Sequence, residues 1–218
     1  MATAKEITAK ENVYKNIRNA LIDKMDNPFY GVDQDASVYN LLKESNDVTF
    51  AQEFTKVSGK FVYCESVDDL GKKLKYICFE NKLQNIFCFE DDLKQLLDEY
   101  EIAVCDDKTK ILEVNTSISY CECLVARLGS VVVSSKQISG RRLIALPETH
   151  IIVAFTWQLV EDLKDALAFL KEKYQKKLPS SITFITGPSR TADIEKTLVL
   201  GAHGPKELFV FLVEANDK

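Results

Sequence analysis

The sequence predicts an α/β protein built around a largely parallel sheet, and three observations predict it. From residue 48 to residue 105, apolar runs of strand length alternate with segments of helical period, the signature of parallel βαβ units with buried strands. The composition, 46% hydrophobic and 28% charged over 218 residues, is that of a globular chain long enough to bury a sizeable core. A Gly/Pro-rich insert, residues 185–205, interrupts regular structure just before the last apolar run.

Taken in order, residues 5–25 set Val13, Ile17, Ala20, Leu21 and Met25 at helical spacing among Lys, Glu and Arg, an amphipathic leading helix. Residues 27–46 mix turn formers with aromatics and show no period, so they read as an irregular connection with one short helix near Leu41. Together these make an N-terminal extension, 1–47, ahead of an α/β domain, 48–218. Inside that domain 48–58 reads as a helix and Lys60–Cys64 as a strand. Val67, Leu70, Leu74 and Ile77 mark a helix that Ser66 caps, with Asp69 three residues on. Asn85–Phe89 is a short apolar run, Glu90–Tyr100 a helix through Leu93, Leu96 and Leu97, and Ile102–Cys105 another run. Next, 131–135, 141–147 and 149–155 read as strands punctuated by Gly140 and Pro147, which makes this part of the sheet antiparallel or mixed. A helix follows over 160–174, with Leu163, Ala166, Leu167, Leu170 and Tyr174 on one face and Pro179 beyond its end. Ser181–Thr186 and Glu207–Glu214 are strands bracketing the insert.

The charge balance, 28 basic against 33 acidic side chains for a net −5, comes with no long basic run and no interleaving of aromatics with cations. Neither nucleic acid nor an anionic membrane is an expected partner, because both need a positive footprint. A small anionic metabolite remains open. The N-terminus lacks the apolar run of a signal peptide and nothing approaches the ~18 apolar residues of a spanning helix, so a cytoplasmic location is expected. The six cysteines, Cys64, Cys78, Cys88, Cys105, Cys121 and Cys123, include no C-x-x-C. Reduced thiols, no bound metal and no bound cofactor are the expectation.

The insert, ITGPSRTADIEKTLVLGAHGP from Ile185 to Pro205, concentrates the chemistry. It offers hydroxyls at Ser189 and Thr191, a cation at Arg190, carboxylates at Asp193 and Glu195, and the imidazole of His203. Irregular backbone at the carboxyl end of a strand is where open α/β sheets place ligands. A helix opening at Ala192 would add amides and a positive dipole end to an anion pocket; the same residues also suit a plain helix cap and a turn. The pattern is neither G-x-G-x-x-G nor a Walker A loop, and no G-x-S-x-G elbow supports a Ser–His–acid triad.

These residues resemble the C-terminal signature of the LUD (lactate utilisation domain) family, of the LutC/YkgG lactate utilisation protein C type: T-G-P-S-x-T-A-D-I-E, then G-x-H-G-P. The likeness covers Thr186, Gly187, Pro188, Ser189, Thr191, Ala192, Asp193, Ile194, Glu195, Gly201, His203, Gly204 and Pro205. Upstream, LPETHIIV is similar to the family's P-x-x-H-I-V strand, carrying Pro147 and His150. One departure stands out. Where the family usually reads T-G-A-D-x-A-I-A-E-T-G-T, this chain has S-Y-C-E-C-L-V-A-R-L-G-S: Glu122, Ala126, Gly129 and Ser130 keep the frame, but Arg127 and Leu128 replace an acid and a threonine.

The resemblance implies a fold like the NagB/RpiA/CoA-transferase group, a Rossmann-like, mixed, mostly parallel sheet with helices on both faces. It also implies a part in oxidising L-lactate to pyruvate beside iron–sulfur partners of the LutA/LutB type, which would hold the clusters. His203, between two glycines, is the leading acid–base candidate, with Asp193 and Glu195 as companions. Thr186, Gly187, Pro188, Ser189, Arg190, Thr191, Gly201, Gly204, Glu122 and His150 are the expected ligand-binding residues. Two other classes of function stay open: a self-sufficient enzyme on a sugar phosphate or acyl-CoA, and a non-catalytic ligand-binding or interaction module.

Overall fold

Every strand of the central sheet runs the same way. The computed structural model describes residues 8–22, 29–31, 40–175, 177–191, 199–201 and 203–215, and the chain divides into two units, Met1–Leu41 and Leu42–Lys218. The first unit contains α1 (Ala9–Ile22). Its N-terminus is a reciprocal cap: the Thr8 amide donates to Glu11 Oε2 at 2.8 Å and the Glu11 amide to Thr8 Oγ1 at 3.3 Å. None of its side chains is buried.

The second unit runs α2 (Asn46–Lys56), β1 (Lys60–Cys64), α3 (Val67–Glu80), β2 (Ile86–Phe87), α4 (Asp91–Glu99), β3 (Thr116–Tyr120), β4 (Cys123–Val125), β5 (Ser130–Ser134), α5 (Gly140–Ala145), β6 (Thr149–Phe155), β7 (Leu159–Val160), α6 (Leu163–Tyr174), β8 (Ile182–Ile185), β9 (Arg190–Thr191), β10 (Val199–Leu200) and β11 (Glu207–Val213). The large sheet has the order β1-β11-β6-β3-β2, all parallel. A second sheet has the order β7-β4-β5-β8, with β4–β5 and β5–β8 antiparallel. β9 and β10 form a two-stranded ribbon.

Strand alternation sorts the side chains into layers. On β6 and β11, Ile151, Val153, Phe209, Phe211 and Val213 meet Leu70 and Leu74 of α3 and Leu93 and Leu97 of α4. The intervening Ile152, Ala154, Leu208, Val210 and Leu212 face the other way, onto Phe50 and Phe54 of α2 and Leu124, Val131 and Val133 of the second sheet. The far side of that sheet, Cys123, Val125 and Val132, packs on Ala166 and Leu170 of α6. Helices thus cover both faces of the parallel sheet, and on one face a second sheet joins them.

Local signals explain most elements. The Ser66 hydroxyl caps α3 by accepting from the Asp69 amide at 3.1 Å, as the sequence predicts. Four expectations need correction. Residues 141–147 are not a strand: they fall in α5 and the turn after it, because a short apolar run has no period of its own and the two arginines stay solvated on a helix as readily as on a hairpin. Residues 102–105 form a single bridge, Phe87 with Cys105, rather than a strand. Residues 40–45 hold no helix near Leu41, the remainder of that connection lying outside the described residues. Thr116–Tyr120 is a strand that apolar patterning misses, since Thr116, Ser117 and Ser119 are buried polar positions, and Cys123–Val125 is a strand too short, at three residues, to stand out as a run. Among the described residues no helix is long and apolar enough to cross a membrane.

Candidate functional site

The Gly/Pro-rich loop leaves the carboxyl end of β8 and enters β11 at its amino end, where the Lys206 amide donates to the Glu148 carbonyl at 2.8 Å. It therefore sits at the amino edge of the parallel sheet, opposite the edge where such sheets usually hold ligands. Two backbone bonds shape it: the Ser189 amide to the Pro205 carbonyl at 2.8 Å, and the Gly201 amide to the Ser189 carbonyl at 2.9 Å. These fold the 186–191 arm against the 201–205 arm, so that a Cβ on Gly204 would stand 3.2 Å from Ser189 Cβ.

A cavity of about 280 Å³ results. Its polar lining is Thr183, Thr186, Ser189 and His203, and its apolar wall includes Ile144 of α5 and Leu208 of β11. Gly187 and Gly204 complete the lining. The structure thus gathers Thr186, Gly187, Ser189, Gly204 and the exposed imidazole of His203 in one place. Neither Lys nor Arg lines the cavity among the described residues.

Other predicted residues serve differently. The Arg190 guanidinium donates to the Val57 carbonyl at the end of α2, at 2.7 Å. Gly187, at φ 83°, presses the same carbonyl, and a Cβ there would come within 2.4 Å of it. Arg190 and Gly187 therefore fasten the loop to α2. Thr191 lies in β9, and Gly201 follows β10 with φ 76°. Pro188, half-buried, completes the turn. Asp193, Glu195 and any helix opening at Ala192 lie outside the described residues.

His150 does not line the cavity. Fully buried on β6, it is the register neighbour of the cavity-lining Leu208. Its Nε2 is 2.8 Å from Ser119 Oγ, and burial pulls its pKa down to about 4, so the ring is neutral near neutral pH. His150 Nδ1 and the hydroxyl of its other register neighbour, Ser117, have no hydrogen-bond partner among the described residues.

Glu122 is elsewhere. Its buried carboxylate accepts from Ser134 Oγ at 2.5 Å, Lys173 Nζ at 2.7 Å and Tyr174 Oη at 2.7 Å. Burial pushes its pKa up, but Lys173 and the two hydroxyls overcome this and hold it below the ordinary range. This knot ties α6 to the Ser134 end of β5, whereas the loop joins at the Ser130 end, about 13 Å away at the rise of a strand. Arg127 is likewise an anchor rather than a cavity residue: it pairs with Glu161 at 2.7 Å and Asp162 at 2.6 Å, at the start of α6. The lining residues that sequence reasoning misses are Ile144 and Ala145, hidden by the reading of α5 as a strand, and Thr183, Phe184 and Leu208, which belong to the strands on either side of the insert.

A larger cleft, about 840 Å³, lies between α3 and the turn after α4, with Lys72, Lys75, Tyr76, Phe79 and Glu101 among its walls. Its ammonium groups are engaged, Lys72 by Asp68 at 2.6 Å and Lys75 by Glu101 at 2.7 Å. Among the described residues no three His, Cys, Asp or Glu side chains form a metal-holding set.

Fold and loop together define an α/β domain with a small hydroxyl- and imidazole-lined cavity under a glycine-rich loop. The family model of the LUD domain matches residues 49–213, and the chain belongs to that family. The match begins within α2, the helix on which the loop is fastened. Among its relatives are the lactate utilization protein C of Geobacillus thermodenitrificans, 38% identical over 103 residues (46% of this chain, 43% of that one), and that of Bacillus licheniformis, 34% identical over 119 residues (53% and 50%). The same protein of Bacillus subtilis is 35% identical over 106 residues (48% and 44%). Each match spans half or less of the relative's length. A crystal structure of a DUF162 family protein from Deinococcus radiodurans shares the fold, with TM-score 0.59 and 13% identity over 80% of this chain and 99% of that one.

Proposed function

We propose that this LUD-domain protein acts in lactate utilisation as a subunit or accessory of L-lactate oxidation to pyruvate, and that its loop cavity holds a small organic anion. The observation that carries the reading is the convergence of Thr186, Ser189 and His203 on one cavity of about 280 Å³, formed by the family's own loop. Hydroxyl donors and an imidazole suit a carboxylate, and His203 is placed to exchange a proton with its occupant. Asp193 and Glu195 remain candidates for the same chemistry. In this reading the chain carries no cofactor, iron–sulfur clusters belong to separate partner proteins, and the assembly works in the cytoplasm.

The cavity lies at the lower limit of the ~300–1,000 Å³ of ordinary ligand sites, which disfavours an acyl-CoA. The absence of a cation from its described lining disfavours a sugar phosphate. The test is a thermal-shift titration with pyruvate, L-lactate, a phosphosugar and a CoA ester. At a hundredfold excess over Kd a bound ligand adds about 2.7 kcal/mol, or roughly 5–10 °C for a chain of this size. Pyruvate or L-lactate should give the shift and Ser189→Ala should diminish it. With iron–sulfur partners supplied, His203→Ala should slow lactate oxidation about 100-fold. A shift from the CoA ester alone would favour the stand-alone enzyme, and no effect of His203→Ala a non-catalytic module.

A further inference from the structure

We propose that Ser130 is a positioning residue for the cavity: it donates its hydroxyl proton to Thr186 and so turns the Thr186 proton outward, making Thr186 a fixed donor to the ligand. This rests on the anion-site reading above and names how that site selects its occupant. The two hydroxyl oxygens lie 2.7 Å apart across the β5–β8 seam, 56 residues apart in sequence, and geometry alone permits either to donate. Their surroundings decide. Ser130 is 1% exposed and its hydroxyl has no hydrogen-bond partner but Thr186 among the described residues. Were Thr186 the donor, the Ser130 proton would be buried with nothing to accept it, the arrangement folded proteins avoid. With Ser130 donating, the proton of exposed Thr186 faces the cavity that Thr186 lines.

Both ends of the pair are braced by the same helix. Gly129 holds φ 56° with its Cα so close to α2 that a Cβ would stand 2.3 Å from the Phe54 amide nitrogen. Gly187, next to Thr186, presses the Val57 carbonyl. The donor is therefore set before a ligand arrives, without a reorganisation on binding. Thr186, with the hydroxyl of Ser189 and the ring of His203 beside it and neither Lys nor Arg in the described lining, suits an acceptor of low charge. A carboxylate or ketone oxygen fits.

The experiment is a double-mutant cycle on the full chain: Ser130→Ala, Thr186→Val and both together, with pyruvate and L-lactate binding measured by calorimetry and unfolding midpoints recorded without ligand. Each single change should weaken binding about three- to tenfold, the worth of one neutral hydrogen bond, and the pair should bind no worse than Thr186→Val alone. Ser130→Ala should melt at or slightly below the parent. Ser130→Cys, which fills the space with a weak donor, runs alongside and should bind like Ser130→Ala. Unchanged affinity in Ser130→Ala, or additive losses in the double variant, would overturn the relay while leaving the anion site standing. A rise in melting temperature for Ser130→Ala would overturn the assigned direction, since it would reveal a buried proton relieved by deletion. If the parent binds neither pyruvate nor L-lactate, the anion reading fails and the donor role falls with it.

Discussion

Replacing Lys173 by methionine leaves the Glu122 carboxylate buried with its two hydroxyl donors but no counter-charge. Glu122 is completely inaccessible while the Lys173 side chain is 44% exposed. Breaking a fully buried ion pair costs about 3–5 kcal/mol; solvent at the lysine end and the retained Ser134 and Tyr174 bonds reduce this to roughly 2–4 kcal/mol. For a domain of this size that is a fall of roughly 5–15 °C in melting temperature. The pH dependence is the sharper signature. In the parent, Glu122 titrates below its ordinary 4.5, so its contribution is complete above that value and is lost as pH falls through the folded pKa. In Lys173→Met, burial, the largest influence on this carboxyl, is opposed only by the Ser134 and Tyr174 hydroxyls, so the carboxyl rises relative to the parent and the variant loses stability relative to the parent as pH rises. The gap between parent and variant should therefore widen from pH 5 to pH 8 in urea unfolding. A gap under about 1 kcal/mol that does not change with pH would refute the assignment of Glu122 as a buried, ion-paired carboxylate.

Gly129→Ala should cost at least about 2 kcal/mol or prevent folding, because its Cβ would strike the backbone of α2; circular dichroism melts report this. The buried neutral His150, at about 4 against an ordinary 6.5, supports stability that is complete above 6.5 and lost as pH falls toward 4. That component, about 3 kcal/mol, should be absent from the acid-unfolding profile of His150→Asn. Burial pushes Cys64 and Cys78 up to about 11 and Cys88 and Cys123 up to about 12, so at pH 7.5 a disulfide reagent should modify the native protein slowly and all six thiols at once in guanidinium. Arg127→Glu should lower the melting temperature by breaking two ion pairs at the start of α6, with pyruvate affinity unchanged.

What the sequence determined by itself is what nearest neighbours along the chain control. The apolar runs 149–155 and 207–213 are buried strands because most of their side chains are apolar on both faces, and that is readable without a partner; 60–64 is legible as a strand too, though it lies at the edge with Lys60 and Tyr63 exposed. The Ser66 cap and the α3 stripe follow from spacing, and the concentration of Gly and Pro between Gly187 and Pro205 marks the loop, whose motif carries the family. Tertiary structure alone decided the rest. The 141–147 run could be read as a strand because six residues of helix expose too little period. The Thr and Ser of β3 are hidden because their burial depends on β6 and β2. The second sheet, which covers one face of the first, arises from pairings between strands far apart in the chain. Around the cavity, sequence pointed to Thr186, Ser189 and His203, which line it, but the contacts that Arg190 and Glu122 make could not be read from it. A guanidinium in a glycine-rich loop looks like an anion ligand until a carbonyl 133 residues away is found to occupy it, and a buried acid looks like a ligand group until Lys173 arrives from another element. Ser130 reaches Thr186 only when β5 and β8 are paired, and that pairing is a long-range property no local pattern encodes.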